Sequence, residues 1–264
     1  MRNRKFIIFG MAGAFVALLA ASAWSAPPEV PGIDDDADRI LREMGDYLRT
    51  ASEYTFRAEI AYDEIVEDQM ILFGSVAEIA LRRGLDQLPD RLNVEIDGDE
   101  IQRRLVFDGK TMTLHNMRKN LYAVTDVPPE IDAALDRFFE VFGSSVPIAD
   151  LVYSDPYRTL SENVQTGFVV GQHPVNGIRC HHLAFTQEAI DWQIWIEVGP
   201  RPVPRKLVIT YREEPGSPQY IAELSDWNFQ PRLSQHYFTF HPPDGADEIE
   251  FLPPQEPQIE EVPR

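Results

Sequence analysis

The chain has 264 residues, of which 44% are hydrophobic, and this fits one large domain or two small ones with enough apolar side chains for a full core. Its 43 acidic residues outnumber the 24 basic ones, so the formal net charge is −19. Because this charge repels nucleic acid and anionic lipid head groups at long range, the composition argues against a protein that binds DNA, RNA or an anionic membrane surface.

The start of the chain has the three parts of a secretory signal peptide. Basic residues come first, an apolar run follows, and the small residues Ala21 and Ala23 fit a peptidase recognition site. We therefore predict that residues 1–26 are a signal peptide, that cleavage follows Ala23 or, as a second choice, Ser25, and that the mature protein is soluble in the periplasm. The alternative is a protein tethered by an uncleaved N-terminal helix, since the span 6–23 reaches the lower length limit of a membrane helix.

The mature chain is predicted to hold a single β domain, residues 27–252, followed by a disordered Pro- and Glu-rich tail, residues 253–264. The domain begins with an amphipathic helix at about 36–51, because apolar residues recur there at helical spacing and aspartates lie at its start. The next segment, Tyr54–Asp63, has side chains that alternate with a period of two, which predicts a strand. The turn Asp108–Gly109 indicates a hairpin. Further strands of this region are predicted at 74–82, 92–96, 103–107, 111–115 and 121–125.

A helix and a second β region complete the predicted domain. Pro128 and Pro129 end the first β region, and the apolar residues within 131–142 recur at helical spacing. The short turns favour an antiparallel sheet, and the helices are too few to cover both of its faces. The sequence therefore predicts a mainly β fold with a few helices, in which a curved antiparallel sheet wraps around one or two helices. The strands of the second region are predicted at 166–172, 177–186, 192–198, 205–211, 220–229 and 237–240.

The sequence contains no pattern that indicates an active site. His181 and His182 are strand neighbours and point to opposite faces, and Cys180 and His182 share a face but would make only a weak two-ligand metal site. Neither a G-x-S-x-G nucleophile motif nor a glycine-rich phosphate loop is present. Cys180 is the single cysteine, so an intramolecular disulfide is excluded. We predict no enzyme activity, no catalytic residue, no metal and no cofactor.

Large apolar side chains gather on the predicted strands. Trp192 and Ile194 share one face of a strand and Trp195 lies on the other, while Ile221 and Trp227 share a face of a later strand. Such side chains either fill a core or line an apolar cavity that binds a lipid or another apolar ligand, and the sequence leaves both interpretations open. The candidate cavity residues are Phe56, Ile60, Ile79, Phe107, Phe138, Phe142, Trp192, Trp195 and Trp227.

Several motifs carry a family resemblance. They are His181–Phe185, Asp191–Glu197, Pro202–Tyr211, Leu224–Phe229 and Phe238–Pro243, with Phe107–Lys110 and Leu121–Tyr122 upstream. In these motifs the chain resembles a family of predicted periplasmic proteins of unknown function (domain of unknown function 2092), which is similar in architecture to the LolA/LolB lipoprotein-carrier superfamily. The resemblance covers nearly all of the mature chain. It implies an unclosed, curved antiparallel half-barrel of LolA type with helices across its concave face.

The resemblance also implies a class of function. Relatives of that shape shelter acyl chains, or sense lipoproteins and envelope stress, and no catalytic residue is carried over from them. The chain lacks the lipid-anchor cysteine of LolB-like members, which argues against a receptor role at the outer membrane. We predict a non-enzymatic periplasmic protein that binds a lipid, an acyl chain or a lipoprotein in an apolar cavity. The alternative is an envelope protein-interaction or sensor module with a filled core, whose partner is another envelope protein; neither interpretation involves nucleic acid.

Overall fold

The computed structural model describes residues 32–84, 88–142 and 146–250, except for the side chain of Phe142. The predicted signal peptide and its cleavage positions lie outside the described residues, and so does the predicted tail, 253–264. Within the described part of the chain, no helix has the length and apolar character that crossing a membrane requires.

The first helix, α1, spans Asp35–Thr50 and confirms the predicted amphipathic helix. Acidic residues occupy its first turn, where they favourably face the positive end of the helix dipole. Its apolar face is buried, with Ile40, Leu41, Met44 and Leu48 in the core. Gly45 also lies on this face, and only glycine fits there because a Cβ atom would come within 2.5 Å of Tyr157. The helix therefore packs closely on the later helix that carries Tyr157.

In the described ranges, twelve strands form one sheet with an unclosed order, β12-β6-β5-β4-β3-β2-β1-β11-β10-β9-β8-β7. All neighbouring strands are antiparallel except β12 and β6, which are parallel. The strands before the middle of the chain are β1 Glu53–Val66, β2 Gln69–Arg82, β3 Arg91–Gly98, β4 Gln102–Phe107, β5 Thr111–Asn116 and β6 Leu121–Asp126. The later strands are β7 Thr166–Val175, β8 Ile178–Thr186, β9 Ile190–Glu197, β10 Pro204–Tyr211, β11 Gln219–Asn228 and β12 Asp247–Glu248.

The predicted mainly β fold, with one curved, unclosed sheet, is confirmed. The two β regions meet where β1 pairs with β11, for example at Ile60 and Ala222. Helix α1 contacts β7 and β9, and it also contacts α3, Pro156–Ser161. Helix α2, Ile131–Phe142, and a 3-10 helix, Pro147–Leu151, pack against β1 to β5. The core is the layer between these helices and the inward side chains of the sheet.

Two predicted details of the strands are wrong. The segment predicted as a strand at 237–240 begins instead in a 3-10 helix, Gln235–Phe238. This helix places Phe238 in the core, and it lets the Tyr237 carbonyl accept a hydrogen bond of 2.7 Å from the Asn93 side chain. The first hairpin is also longer than predicted: β1 and β2 continue to a turn at Glu67 and Asp68, both of which have positive φ.

A β-bulge in β11 changes which side chains face the core. Asp226 has φ 53°, and the register with β1 shifts at this point. A bulge inserts one extra residue, so the inward face passes from Leu224 to Trp227 instead of continuing in strict alternation. The predicted face shared by Ile221 and Trp227 is therefore wrong: Trp227 packs on Phe56, whereas Ile221 belongs to the other face.

Candidate ligand cavity

An apolar cavity lies between the sheet and the helices that cover its first half. It measures about 100 Å³, and about 780 Å³ of unfilled space belongs to it when its open mouth is included. Side chains of β1 to β5 form one wall, α2 forms a second, and residues 146–152 form a third. The lining residues are Ile60, Ala77, Ile79, Leu92, Val94, Ile96, Arg103, Leu105, Leu114, Leu135, Phe138, Phe139, Val146, Ile148, Ala149 and Val152.

Strand register explains why the wall on the sheet is continuous. Ile79 lies opposite Val94, Val94 opposite Leu105, and Leu105 opposite Leu114, so one row of aliphatic side chains crosses four strands. Directly opposite side chains on antiparallel strands have Cβ atoms about 4.5–5.5 Å apart, which is close enough to exclude water between them. The row therefore forms a smooth apolar surface.

The cavity opens towards solvent at the side of β4 and β5. Ile79 is only 3% exposed, whereas Val94, Leu105 and Leu114 are half-buried although they point to the same side of the sheet. These three side chains pack against the core cluster and keep part of their surface exposed. The structure therefore shows a void connected to solvent rather than a closed core at this place.

Among the described residues that line the cavity, Arg103 is the one with a charged side chain. It lies opposite Ile96, on the row next to the aliphatic one. Burial raises the pKa of the nearby Tyr62 hydroxyl, Glu100 raises it further, and the positive charge of Arg103 opposes both effects. Arg103 is thus a cation beside an acidic rim, at the polar end of an otherwise apolar cavity.

Three of the predicted cavity residues, Ile60, Ile79 and Phe138, line this cavity. Phe56, Phe107 and Trp192 are buried in the core elsewhere, and the side chain of Phe142 lies outside the description. Trp227 stacks on Phe56 at a centroid distance of 4.3 Å, and its Nε1 donates to the Pro204 carbonyl at 3.1 Å.

Trp195 lies on the face that alternation along β9 assigns to it, opposite Ile194, and the cavity lies on the other face. Trp195 is on the outer face of the sheet because Ile194 and Ile196, its neighbours on β9, point inward and are fully buried. Its ring stacks on the His182 ring at a centroid distance of 3.9 Å. Trp195 therefore cannot line a cavity on the concave face.

The prediction missed the half-buried aliphatic residues of β3 to β5, and the signal that could have found them is their size. Aromatic side chains fill the other half of the core, where Phe185 stacks on Trp192 at 4.2 Å. Val94, Leu105 and Leu114 are shorter, and they face inward without an aromatic partner on their own row. A run of short inward side chains leaves space that large ones occupy elsewhere.

Hydrogen bonds hold the C-terminal end of the wall formed by residues 146–152. The Tyr54 hydroxyl donates to the Leu151 carbonyl at 2.8 Å, and Arg83 Nη2 donates to the Tyr153 carbonyl at 2.8 Å. Within the same 3-10 helix, burial raises the pKa of the Asp150 carboxyl to about 6. Ionisation of this carboxyl group therefore destabilises the folded protein.

We expect the Asp150→Asn variant to be more stable than the wild type above pH 6. The folded-state pKa of Asp150 lies above its usual value of 3.8, so folding is disfavoured increasingly as the pH rises from about 4, and the full penalty applies above about 6. The amide removes this penalty, which is worth about 1–2 kcal/mol after allowance for solvent screening. Urea unfolding at pH 4 and pH 7.5 measures it, and an equal effect of the variant at both values would contradict the assignment.

Among the described residues, no three or more histidine, cysteine, aspartate or glutamate side chains assemble into a metal site. Cys180 and His182 do share a face, as their spacing predicts. His182 is engaged by neighbouring side chains: its Nδ1 lies 3.0 Å from His173 Nδ1, and its Nε2 lies 2.9 Å from Gln193 Oε1. Burial raises the pKa of the Cys180 thiol and lowers that of His182, so the thiol is protonated and a poor nucleophile.

Three solved structures with a similar course of the chain are distant in sequence. An uncharacterised conserved protein from Thermus thermophilus is 11% identical with a TM-score of 0.47, and the alignment covers 81% of this chain and 99% of that one. The lipoprotein LppX from Mycobacterium tuberculosis is 13% identical with a TM-score of 0.44, covering 75% and 97%. The LolA superfamily protein NE2245 from Nitrosomonas europaea is 9% identical with a TM-score of 0.33, covering 77% and 97%.

The family comparison is more decisive than these likenesses. No curated protein matches the chain. The family described as "Predicted periplasmic protein (DUF2092)" matches residues 37–252, which is most of the chain and includes every strand of the sheet. The resemblance carried by the sequence motifs is thereby confirmed, and the chain belongs to this family of predicted periplasmic proteins.

Proposed function

We propose that this protein is a non-enzymatic periplasmic binding protein that takes the acyl chain of a lipid or lipoprotein into the cavity beneath α2. It acts as a soluble protein after loss of residues 1–26. The observation that supports the proposal most directly is the unbroken aliphatic row from Ile79 to Leu114, which faces a void that is open to solvent. An apolar cavity whose described lining carries a single charged residue suits a ligand with a long apolar part and one polar end.

The size of the cavity limits how the ligand enters. An apolar cavity of about 150 Å³ is enough for benzene, and the present 100 Å³ is somewhat smaller. A few methylene groups fit without movement, and each one contributes about 0.8 kcal/mol when it leaves water. A full acyl chain requires α2 or the 3-10 helix Pro147–Leu151 to move outward, and the cavity then extends along the same aliphatic wall.

The position of Arg103 orients the bound ligand. A carboxylate or phosphate at the end of an acyl chain pairs with a guanidinium more strongly than with water at a partly buried position. The acyl chain then runs from Arg103 along the row formed by Leu105 and its neighbours. This arrangement favours lipids with an acidic head over neutral ones.

A test of the proposal combines native mass spectrometry with a binding assay. Protein purified from its own periplasm should carry extra mass that lipid extraction removes and identifies. The stripped protein should take up a fluorescent fatty acid with saturable binding. Protein of bare mass from the native host, together with no uptake by the stripped protein, would refute the proposal.

A second function is favoured by the end of the β1–β2 hairpin. Apolar side chains are exposed there: Leu72 is 64% exposed, and Ile65 and Met70 are each 45% exposed. Exposed apolar groups of this kind mark contact surfaces for other molecules. An envelope-protein partner that binds here should be crosslinked in the periplasm by the wild type and lost in the Leu72→Glu variant, whereas uptake of the fatty acid should be unchanged.

A further inference from the structure

Three arginines gather at one end of the sheet in a protein whose net charge is −19. Arg82 at the end of β2 lies directly opposite Arg91 at the start of β3, and Arg83 follows Arg82. All three line an open pocket of about 330 Å³ together with Glu53 and Gln235. Like charges that lie directly opposite each other on antiparallel strands repel and destabilise the sheet. A negative charge close to Arg82 and Arg91 would offset this repulsion.

Two of the three arginines are engaged by the protein itself. Arg82 Nε and Nη2 donate to Glu53 Oε2 at 3.1 Å and 3.0 Å. Arg83 Nη1 and Nη2 donate to the carbonyls of Val152 and Tyr153. Nevertheless, Arg83 Nε is buried and has no hydrogen-bond partner among the described residues. Arg83 therefore brings a positive charge to the edge of the pocket, whereas its Nε is shielded from solvent and is not available to a ligand there.

Arg91 differs because it makes no hydrogen bond or ion pair with any residue of the described ranges. The carboxylates nearest to it in sequence and register are already in use. Asp90 accepts from the backbone N–H groups of Gly84 at 2.7 Å and Ile131 at 2.9 Å, and Asp108 accepts from the backbone of its own turn. The charge of Arg91 is thus left for an anion from outside.

We propose that the pocket formed by Arg82, Arg83 and Arg91 binds a phosphate group, carried either by a free anion or by a lipid head group. A guanidinium presents its N–H donors in a planar fork that matches the oxygens of phosphate, and a doubly charged tetrahedral anion can contact several such forks at once. The remaining surface is acidic and repels anions at long range, so binding depends on this cluster.

The first experiment titrates the full protein with sodium phosphate at constant ionic strength, using calorimetry and thermal unfolding. We expect saturable binding and a rise in the melting temperature. Arg91→Gln should weaken binding about tenfold or more, since it removes a charge-assisted contact, and Arg91→Lys should fall between the two. Arg179→Gln is the matched control, because Arg179 is an exposed arginine on β8, outside the pocket.

The second experiment separates the two sources of phosphate. Binding to phosphatidylcholine vesicles that contain phosphatidic acid, but not to pure phosphatidylcholine vesicles, assigns the site to a head group; binding of inorganic phosphate alone assigns it to a free anion. An equal response to sodium chloride, unchanged binding by Arg91→Gln, or no binding of either probe would overturn the proposal. Uptake of the fluorescent fatty acid by Arg91→Gln should equal that of the wild type, so the site and the acyl cavity are tested separately.

Discussion

The Leu114→Trp variant should lose uptake of a fluorescent fatty acid by at least tenfold while it remains folded. Leu114 ends the aliphatic row and is half-buried at the open side of the cavity, so an indole ring there occupies the space that the ligand needs. The ring also covers apolar neighbours, so the effect on the free energy of unfolding should be small compared with the effect on binding. Fluorescence titration of the stripped protein measures the change.

The matched control is Leu72→Trp, which makes the same substitution at a leucine that is 64% exposed on the β1–β2 hairpin. Its affinity for the probe should equal that of the wild type. Full uptake by Leu114→Trp would show that the probe binds somewhere other than this cavity. Loss of uptake in both variants would point to the hairpin as part of the route by which the ligand enters.

The Phe185→Ala variant should lower the free energy of unfolding by about 3–5 kcal/mol. Phe185 is 2% exposed and stacks on Trp192 in the half of the core that aromatic side chains fill. Its removal leaves a cavity that the surrounding rings cannot close, because close-packed interiors relax only partly. Equilibrium unfolding in urea measures the loss.

Phe168→Ala provides the comparison, since Phe168 lies on the neighbouring strand β7 and is 50% exposed. Its loss should change the free energy of unfolding by no more than about 0.5 kcal/mol. If Phe185→Ala were equally mild, the aromatic half of the core would be loosely packed. The contrast between a filled half and an open half of the sheet would then be wrong.

Patterns within short stretches of the sequence were sufficient to predict most of the helices and strands. Apolar spacing located α1, and alternation located the strand that begins at Tyr54. Turn chemistry was equally informative: the turn predicted at Asp108 and Gly109 is present, and Gly109 has φ 85°, as glycine allows. These features depend on a few adjacent residues, which is why the sequence alone was sufficient.

Features that depend on distant residues were not predicted. The bulge at Asp226 arises in the pairing of β11 with β1, and no local pattern marks it. The cavity depends on how far α2 stands from the row that contains Leu105, which is a matter of volume between elements. Alternation tells which face a side chain occupies, and it assigned Trp195 to the face opposite Ile194. It does not tell how much space remains above that face.

The pairing of β1 with β11 has a consequence for the order of events in folding. Tyr62 and Tyr220 lie opposite each other although they are roughly 160 residues apart along the chain. Contacts between such distant segments form slowly, because a long loop must close before any of them is made. The pairing of β1 with β11 at the centre of the sheet therefore cannot form until the last third of the polypeptide is available. Until β11 pairs with β1, the two halves of the sheet are not joined to each other.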